Sequence, residues 1–123
     1  MSHILKALIV DDSASMRMVL GLTLRDAGIE VVEANNGEAA FGFATKQQFD
    51  FVITDINMPK MSGMDLIKQL RDLENYKHIP ILTLTSLNSD GIKQQIKAAG
   101  ATGWFQKPFG PATLLKTIEK LAA

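Results

Sequence analysis

A parallel β-sheet with crossover helices, the α/β class, is what this sequence predicts, and three observations carry the prediction. Short β-prone runs alternate five times with segments of helical period. Three of those runs are nearly all apolar, as strands covered on both faces must be. The periodic segments end on stop signals, Gly28 and Gly100 among them.

The elements follow in order. Ala7 to Val10 is the first strand, and after it Met16, Val19, Leu20, Thr23, Leu24 and Ala27 recur at helical spacing until Gly28, where a left-handed cap stops the helix. Glu30 to Ala34 is the second strand, followed by a helix marked by Ala39, Ala40, Phe43 and Ala44. Phe51 to Thr54 is the third, with Leu66, Ile67 and Leu70 on its helix. Ile81 to Leu84 is the fourth, with Ile92, Ile96 and Ala99 on a helix that Gly100 ends. Gly103 to Gln106 is the fifth, and Pro111 opens a last helix carrying Leu114, Leu115, Ile118 and Leu121. No linker or repeat interrupts residues 1–123, so one domain is expected, large enough to bury about two-thirds of its unfolded surface.

Composition narrows the function. Thirteen basic residues balance thirteen acidic ones, which gives no reason to expect nucleic acid or an anionic membrane as partner. The chain has no cysteine, which removes disulfides, thiolate metal sites and cysteine nucleophiles and makes a reducing compartment the simplest home. No apolar run approaches the roughly 20 residues of a membrane span, and the N-terminus lacks a signal-peptide pattern. A cytoplasmic protein is expected.

Right-handed crossovers place the carboxyl ends of all parallel strands on one edge, where ligands bind. The residues following the strands are therefore informative: Asp11 and Asp12, then Asp55, then Thr85, then Lys107. Three carboxylates at one edge repel one another unless a cation sits among them. Without histidine or cysteine nearby, a hard cation is implied, and magnesium, which takes one or two carboxylates and keeps several waters, fits. Lys107 adds fixed positive charge and Thr85 a hydroxyl donor, which together suit an incoming phosphate. Aspartate can attack phosphorus to form an acyl phosphate, and Asp55, before the loop Ile56-Asn57-Met58-Pro59, is the best-placed nucleophile. No phosphate-cradling glycine loop is present, so a bound nucleotide is not expected as donor or cofactor.

Four stretches in order, Leu8-Ile9-Val10-Asp11-Asp12-Ser13, Thr54 to Pro59 with Gly63 beyond, Pro80 through Thr85-Ser86, and Lys107-Pro108-Phe109, resemble the response regulator receiver domains over essentially the whole chain. The resemblance implies a flavodoxin-like, doubly wound sheet of order 2-1-3-4-5 with helices on both faces. It implies Asp55 as the residue phosphorylated by a partner histidine kinase, and magnesium held by Asp12 and Asp55, by Asp11 through water, and by the Asn57 carbonyl. Thr85 would bond the phosphoryl group, Lys107 would pair with it, and Lys107-Pro108 would be a cis peptide bond. Trp104 stands where the family usually has a smaller aromatic that turns inward on activation; a space-filling, partly buried anchor is the other reading. Leu87 replaces a residue that is often acidic in chemotaxis members, which would alter the lifetime of the phosphoryl group.

The implied activity is a two-component phosphorelay switch. It catalyses only its own phosphorylation and dephosphorylation, as a monomer, and its fourth-helix, fifth-strand and fifth-helix face binds an output protein. The stretch from Gly100 to Trp104 and the end of the chain just after the fifth helix favour a stand-alone receiver of the chemotaxis type. A receiver cut from a transcriptional regulator or hybrid kinase is the alternative. A phosphatase of the haloacid dehalogenase type shares the residue types, but its nucleophile follows the first strand in an Asp-x-Asp pattern, which adjacent Asp11-Asp12 does not match. Each residue also has an ordinary explanation: Asp12 and Ser13 as helix caps, Thr85 as a β-branched strand residue, Lys107 as a surface charge, Asp55 as a turn acid. Convergence on one edge is what argues against them. Met16, Met58, Met61 and Met64 are expected to pack, and His3 and His78 to lie on the surface.

Overall fold

The computed structural model describes residues 4–56, 58, 61–85, 90–106 and 110–122. Five strands, β1 (Lys6–Val10), β2 (Glu30–Ala34), β3 (Phe51–Asp55), β4 (Ile81–Thr85) and β5 (Gly103–Gln106), alternate with five helices: α1 (Ala14–Asp26), α2 (Gly37–Lys46), α3 (Gly63–Arg71), α4 (Asp90–Ala99) and α5 (Pro111–Ala122). All pairings are parallel, in the order β2-β1-β3-β4-β5. A 3-10 turn, Glu74–Tyr76, precedes β4.

The apolar runs define the layers. Alternate residues of β1 and β3 point to opposite faces. Leu8, Val10 and Val52 meet Ala40 and Ala44 of α2, Leu66, Ile67 and Leu70 of α3, and Ala99 of α4. Ala7, Ile9, Phe51 and Ile53 meet Leu20 and Leu24 of α1 and Leu114 and Ile118 of α5. The sheet is therefore covered on both sides, which is why its central strands carry almost no polar residue before their carboxyl ends.

Two expectations needed correction. Asp55 and Thr85 are the last residues of β3 and β4 rather than the first residues beyond them, because pairing extends through Asp55↔Leu84 and Thr85↔Gln106. On α1, Val19 is 53% exposed and Ala27 is also exposed, and with Met18 and Leu22 they put apolar side chains on the solvent side. Spacing of 3 and 4 residues links two stripes on this helix, and only the one through Leu20 and Leu24 faces the sheet.

Helix ends obey local chemistry. Ser13, Asn36 and Ser62 cap α1, α2 and α3 by accepting from the amides of Met16, Ala39 and Asp65. At Gly28 (φ +84°) and Gly100 (φ +109°) the chain reverses out of α1 and α4, and the amides of Ile29 and Ala101 return to Leu24 and Ile96. The methionines pack as expected, Met16 on the α1 side and Met58, Met61 and Met64 on the other, and His78 is exposed.

Two side chains tie the pole opposite the strands' carboxyl ends. The phenol of Tyr76, fully buried, shares its one proton between the carbonyls of Gln47 and Ala44 (2.6 and 3.0 Å) and accepts from the Phe49 amide at 3.2 Å. Burial raises its pKa, partly offset by the Phe49 amide. Arg71, whose pKa burial lowers, donates to the carbonyls of Gly100, Tyr76 and Ile79 at 2.7–2.9 Å and to the Thr102 hydroxyl at 3.3 Å. These bonds join the ends of α2, α3 and α4 to the starts of β3 and β4.

At the other pole, Gly63 brings α3 against β3. Its amide donates to the Ile56 carbonyl at 2.9 Å, and a Cβ there would overlap the Asp55 carbonyl oxygen. Gly63→Ala is therefore expected to destabilise the fold by about 1–3 kcal/mol, as overpacking against immovable backbone does, and to lower the melting temperature by several degrees. Tyr76→Phe is expected to cost about 1–3 kcal/mol by leaving buried polar groups unsatisfied. Because the raised phenol pKa keeps the folded protein protonated where the unfolded chain ionises, wild-type stability should be full below about pH 10 and fall above it. The Phe variant should lack that component of the decline, as denaturant titrations between pH 8 and 11 would record.

Candidate functional site

The sheet order reverses between β1 and β3, and the crevice at that switch point opens at their carboxyl ends. β1 pairs with β3 through Val10↔Thr54, so Asp11 and Asp55 are the next residues on adjacent strands. One carboxylate oxygen from each of Asp11, Asp12 and Asp55 lies within 4.8 Å of the others. Asp11 is fully buried and Asp55 is 7% exposed, while Asp12 faces solvent. Two acids thus form the floor of the site and one its rim.

Local bonds set these carboxylates. Asp11 Oδ1 accepts from the Ser13 amide at 2.9 Å, and the Asp11 amide donates to Ala34 of β2 at 3.1 Å. Asp55 Oδ1 accepts from the amide of Ile56 at 2.8 Å, which fixes the plane of that carboxylate. The Thr54 hydroxyl, buried beneath, donates to the Asp55 carbonyl at 2.9 Å. The capping explanation of the Asp-Asp-Ser sequence holds for Ser13, which bonds the Met16 amide at 3.3 Å, and leaves the two aspartates directed to the cluster.

The donor set suits a hard cation. Among the described residues it offers three carboxylates and no nitrogen or sulfur ligand, with two of the carboxylates shielded from bulk water, where like charges repel more strongly than the roughly 1 kcal/mol of a 4 Å pair in water. A divalent ion held there by Asp11, Asp12 and Asp55 would offset that repulsion. Thr85, 4% exposed, ends β4 one position beyond the residue paired with Asp55, on the same edge. Asn57, Leu87, Lys107 and Pro108 lie outside the described residues.

Trp104 is on β5, opposite Thr83 of β4. Its ring is 41% exposed, and the Lys93 ammonium of α4 lies 5.7 Å from the ring centre. A partly exposed ring beneath a cation is compatible with both readings considered from sequence, the rotamer switch and the partly buried anchor.

Sequence reasoning missed one residue at the site. Arg17, on the second turn of α1, donates from Nη1 to the Asp11 carbonyl at 2.6 Å and lies 3.8 Å from Glu33 of β2. Its six-residue distance from Asp11 was the available signal, but helical spacing alone does not separate it from a solvent-facing arginine.

No helix among the described residues is long and apolar enough to cross a membrane. Residues 7–119 match the family model of the response regulator receiver domain. The chemotaxis protein CheY-3 of Vibrio cholerae is 41% identical over 121 residues, covering 95% of this chain and 91% of the relative. The solved structure of the V. cholerae chemotaxis protein CheY4 superposes with a TM-score of 0.93 at 48% identity, covering 97% of this chain and 99% of that one. The receiver domain of a sensor histidine kinase from Pseudomonas aeruginosa, solved with a magnesium ion coordinated in its active-site cleft, superposes with a TM-score of 0.89 at 26% identity, covering 97% and 98%. With the fold, the acidic crevice and these similarities in agreement, the chain belongs to the response regulator receiver domain family.

Proposed function

We propose that this chain is a phosphorylation switch of the chemotaxis type, one domain over residues 1–123, in which Asp55 accepts a phosphoryl group from the phosphohistidine of a kinase. The observation that carries this reading is the meeting of Asp11, Asp12 and Asp55 within 4.8 Å at the carboxyl ends of β1 and β3. The designation of the V. cholerae relatives as chemotaxis proteins supports the pathway class. The magnesium-bound cleft of the P. aeruginosa receiver supports the choice of metal.

In this reading an oxygen of the Asp55 carboxylate attacks phosphorus in line with the donor nitrogen. The new P–O bond forms as the P–N bond breaks, and the donor imidazole leaves with the bonding pair. The Ile56 amide holds Asp55 Oδ1 and so limits rotation of the nucleophile. Magnesium held by Asp11, Asp12, Asp55 and the Asn57 carbonyl would supply positive charge to the transferring phosphoryl oxygens. Lys107 is assigned to pair with them and Thr85 to donate its hydroxyl. The chain catalyses only its own phosphorylation and dephosphorylation, with no turnover of other substrates.

The modification adds about −1.5 to −2 charges at the edge. Thr85, drawn toward the phosphoryl group, shifts the packing of α4, β5 and α5, the face assigned to the output protein. Trp104 is assigned as the rotamer switch of that face, starting from its outward position under Lys93. The balanced charge supports a protein partner rather than nucleic acid or membrane, and a cytoplasmic monomer is the state in which we expect the switch to act.

Intact-mass analysis after incubation with acetyl phosphate tests the reading. One phosphoryl group is expected on the wild type with magnesium, and none without the metal or in Asp55→Asn. Equal gain by Asp55→Asn would overturn the assignment of the acceptor. Magnesium is also expected to raise the melting temperature, by an amount equivalent to about 2.7 kcal/mol at a hundredfold excess over Kd. Asp12→Asn should raise the metal-free melting temperature by relieving repulsion, and a metal-independent wild-type curve would count against a shared cation site.

A further inference from the structure

The Asp11 carbonyl lies just beyond the last paired residue of β1, Val10, and before the start of α1 at Ala14. It accepts a hydrogen bond from Arg17 Nη1 at 2.6 Å. That carbonyl belongs to the peptide unit joining Asp11 to Asp12, which is planar, so one bond from Arg17 restrains ψ of Asp11 and φ of Asp12 together. Those two torsions set the directions in which both carboxylates leave the backbone.

We propose that Arg17 is a positioning residue for the cation: by holding the peptide plane between Asp11 and Asp12 it fixes both carboxylates in the arrangement that binds magnesium. The inference rests on the metal-dependent switch proposed above and adds to it a residue that touches neither metal nor phosphoryl group.

The surroundings fit that role. Asp11 is also tied by its amide to Ala34 and by Oδ1 to Ser13, so the Arg17 bond adds a further restraint on one buried residue. Arg17 is itself steered. Its Nε lies 3.8 Å from Glu33 Oε1, while Arg25 engages Glu33 Oε2 at 3.2 Å and the Val31 carbonyl at 3.4 Å. Glu33 also offsets the guanidinium charge, which would otherwise repel a divalent cation close by. Partners that orient metal ligands change affinity by about 10- to 100-fold when removed.

Positioning and simple charge predict opposite signs, which makes the test decisive. If Arg17 acted through its charge, Arg17→Met would remove repulsion and tighten cation binding, and Arg17→Lys would leave it unchanged. If it positions the peptide, Arg17→Met loosens the carboxylates and weakens binding, and Arg17→Lys, lacking the planar fork, weakens it less.

The experiment titrates the whole chain with manganese and reads free ion by electron paramagnetic resonance, with circular dichroism to establish folding and Asp12→Asn to locate the site. About a tenfold rise in Kd is expected for Arg17→Met, consistent with that range, with a smaller rise for Arg17→Lys. The spectrum of the bound ion should broaden in the Lys variant as ligand geometry becomes heterogeneous, a change that loss of global stability alone does not produce. Unchanged or tighter binding by folded Arg17→Met, while the wild type binds at the site Asp12→Asn disrupts, would overturn this inference alone. If Arg17→Met does not fold, unaltered affinity and spectrum in Arg17→Lys would overturn it equally. No manganese binding by the wild type would overturn both this inference and the metal-dependent reading beneath it.

Discussion

Parallel pairing of β1 with β3 is the constraint on which the site depends. It puts the carboxyl ends of two buried strands side by side, and the residues found there, Asp11 and Asp55, carry like charges at low exposure. The backbone gives them little freedom to separate: β2 holds the Asp11 amide, and α3 abuts Asp55 through Gly63 with no room for a side chain. The sheet therefore does electrostatic work by geometry alone. It gathers charges that would move apart in solution, and a cation bound among them would offset their repulsion.

The two poles of the molecule are built on different chemistry. At the carboxyl pole, ionisable groups are concentrated and short local bonds orient them, from Ser13, Ile56 and Thr54. At the opposite pole, Tyr76 and Arg71 collect carbonyl groups from chain ends that no ladder serves. Interior packing on both faces connects them.

Much of this was legible in the sequence because it is written in local pattern. Short β-prone runs marked all five strands, three of them nearly all apolar, Gly28 and Gly100 marked helix ends, and the acids following the first and third runs pointed to one edge. The single-residue shortfall at β3 and β4 had a simple cause: a polar residue ended each apolar run, but pairing depends on backbone register and continued through Asp55 and Thr85. Strand order was not in the local pattern and came only with the family resemblance. α1 misled because its apolar residues occupy two faces and periodicity cannot say which meets the sheet. The roles of Arg17, Arg71 and Tyr76 were invisible for another reason. Their partners are backbone carbonyls, which every residue possesses and no sequence pattern distinguishes.

Tyr76 has a consequence for how the fold comes apart. Its phenol bridges to Ala44, Gln47 and Phe49, between 27 and 32 residues away, from a turn of only three residues. Loosening that turn releases the end of α2 and the approach to β3 in the same event. The ring therefore couples the opening of these segments to one another. The three-residue turn thereby ties the stability of two segments distant in sequence to a single side chain.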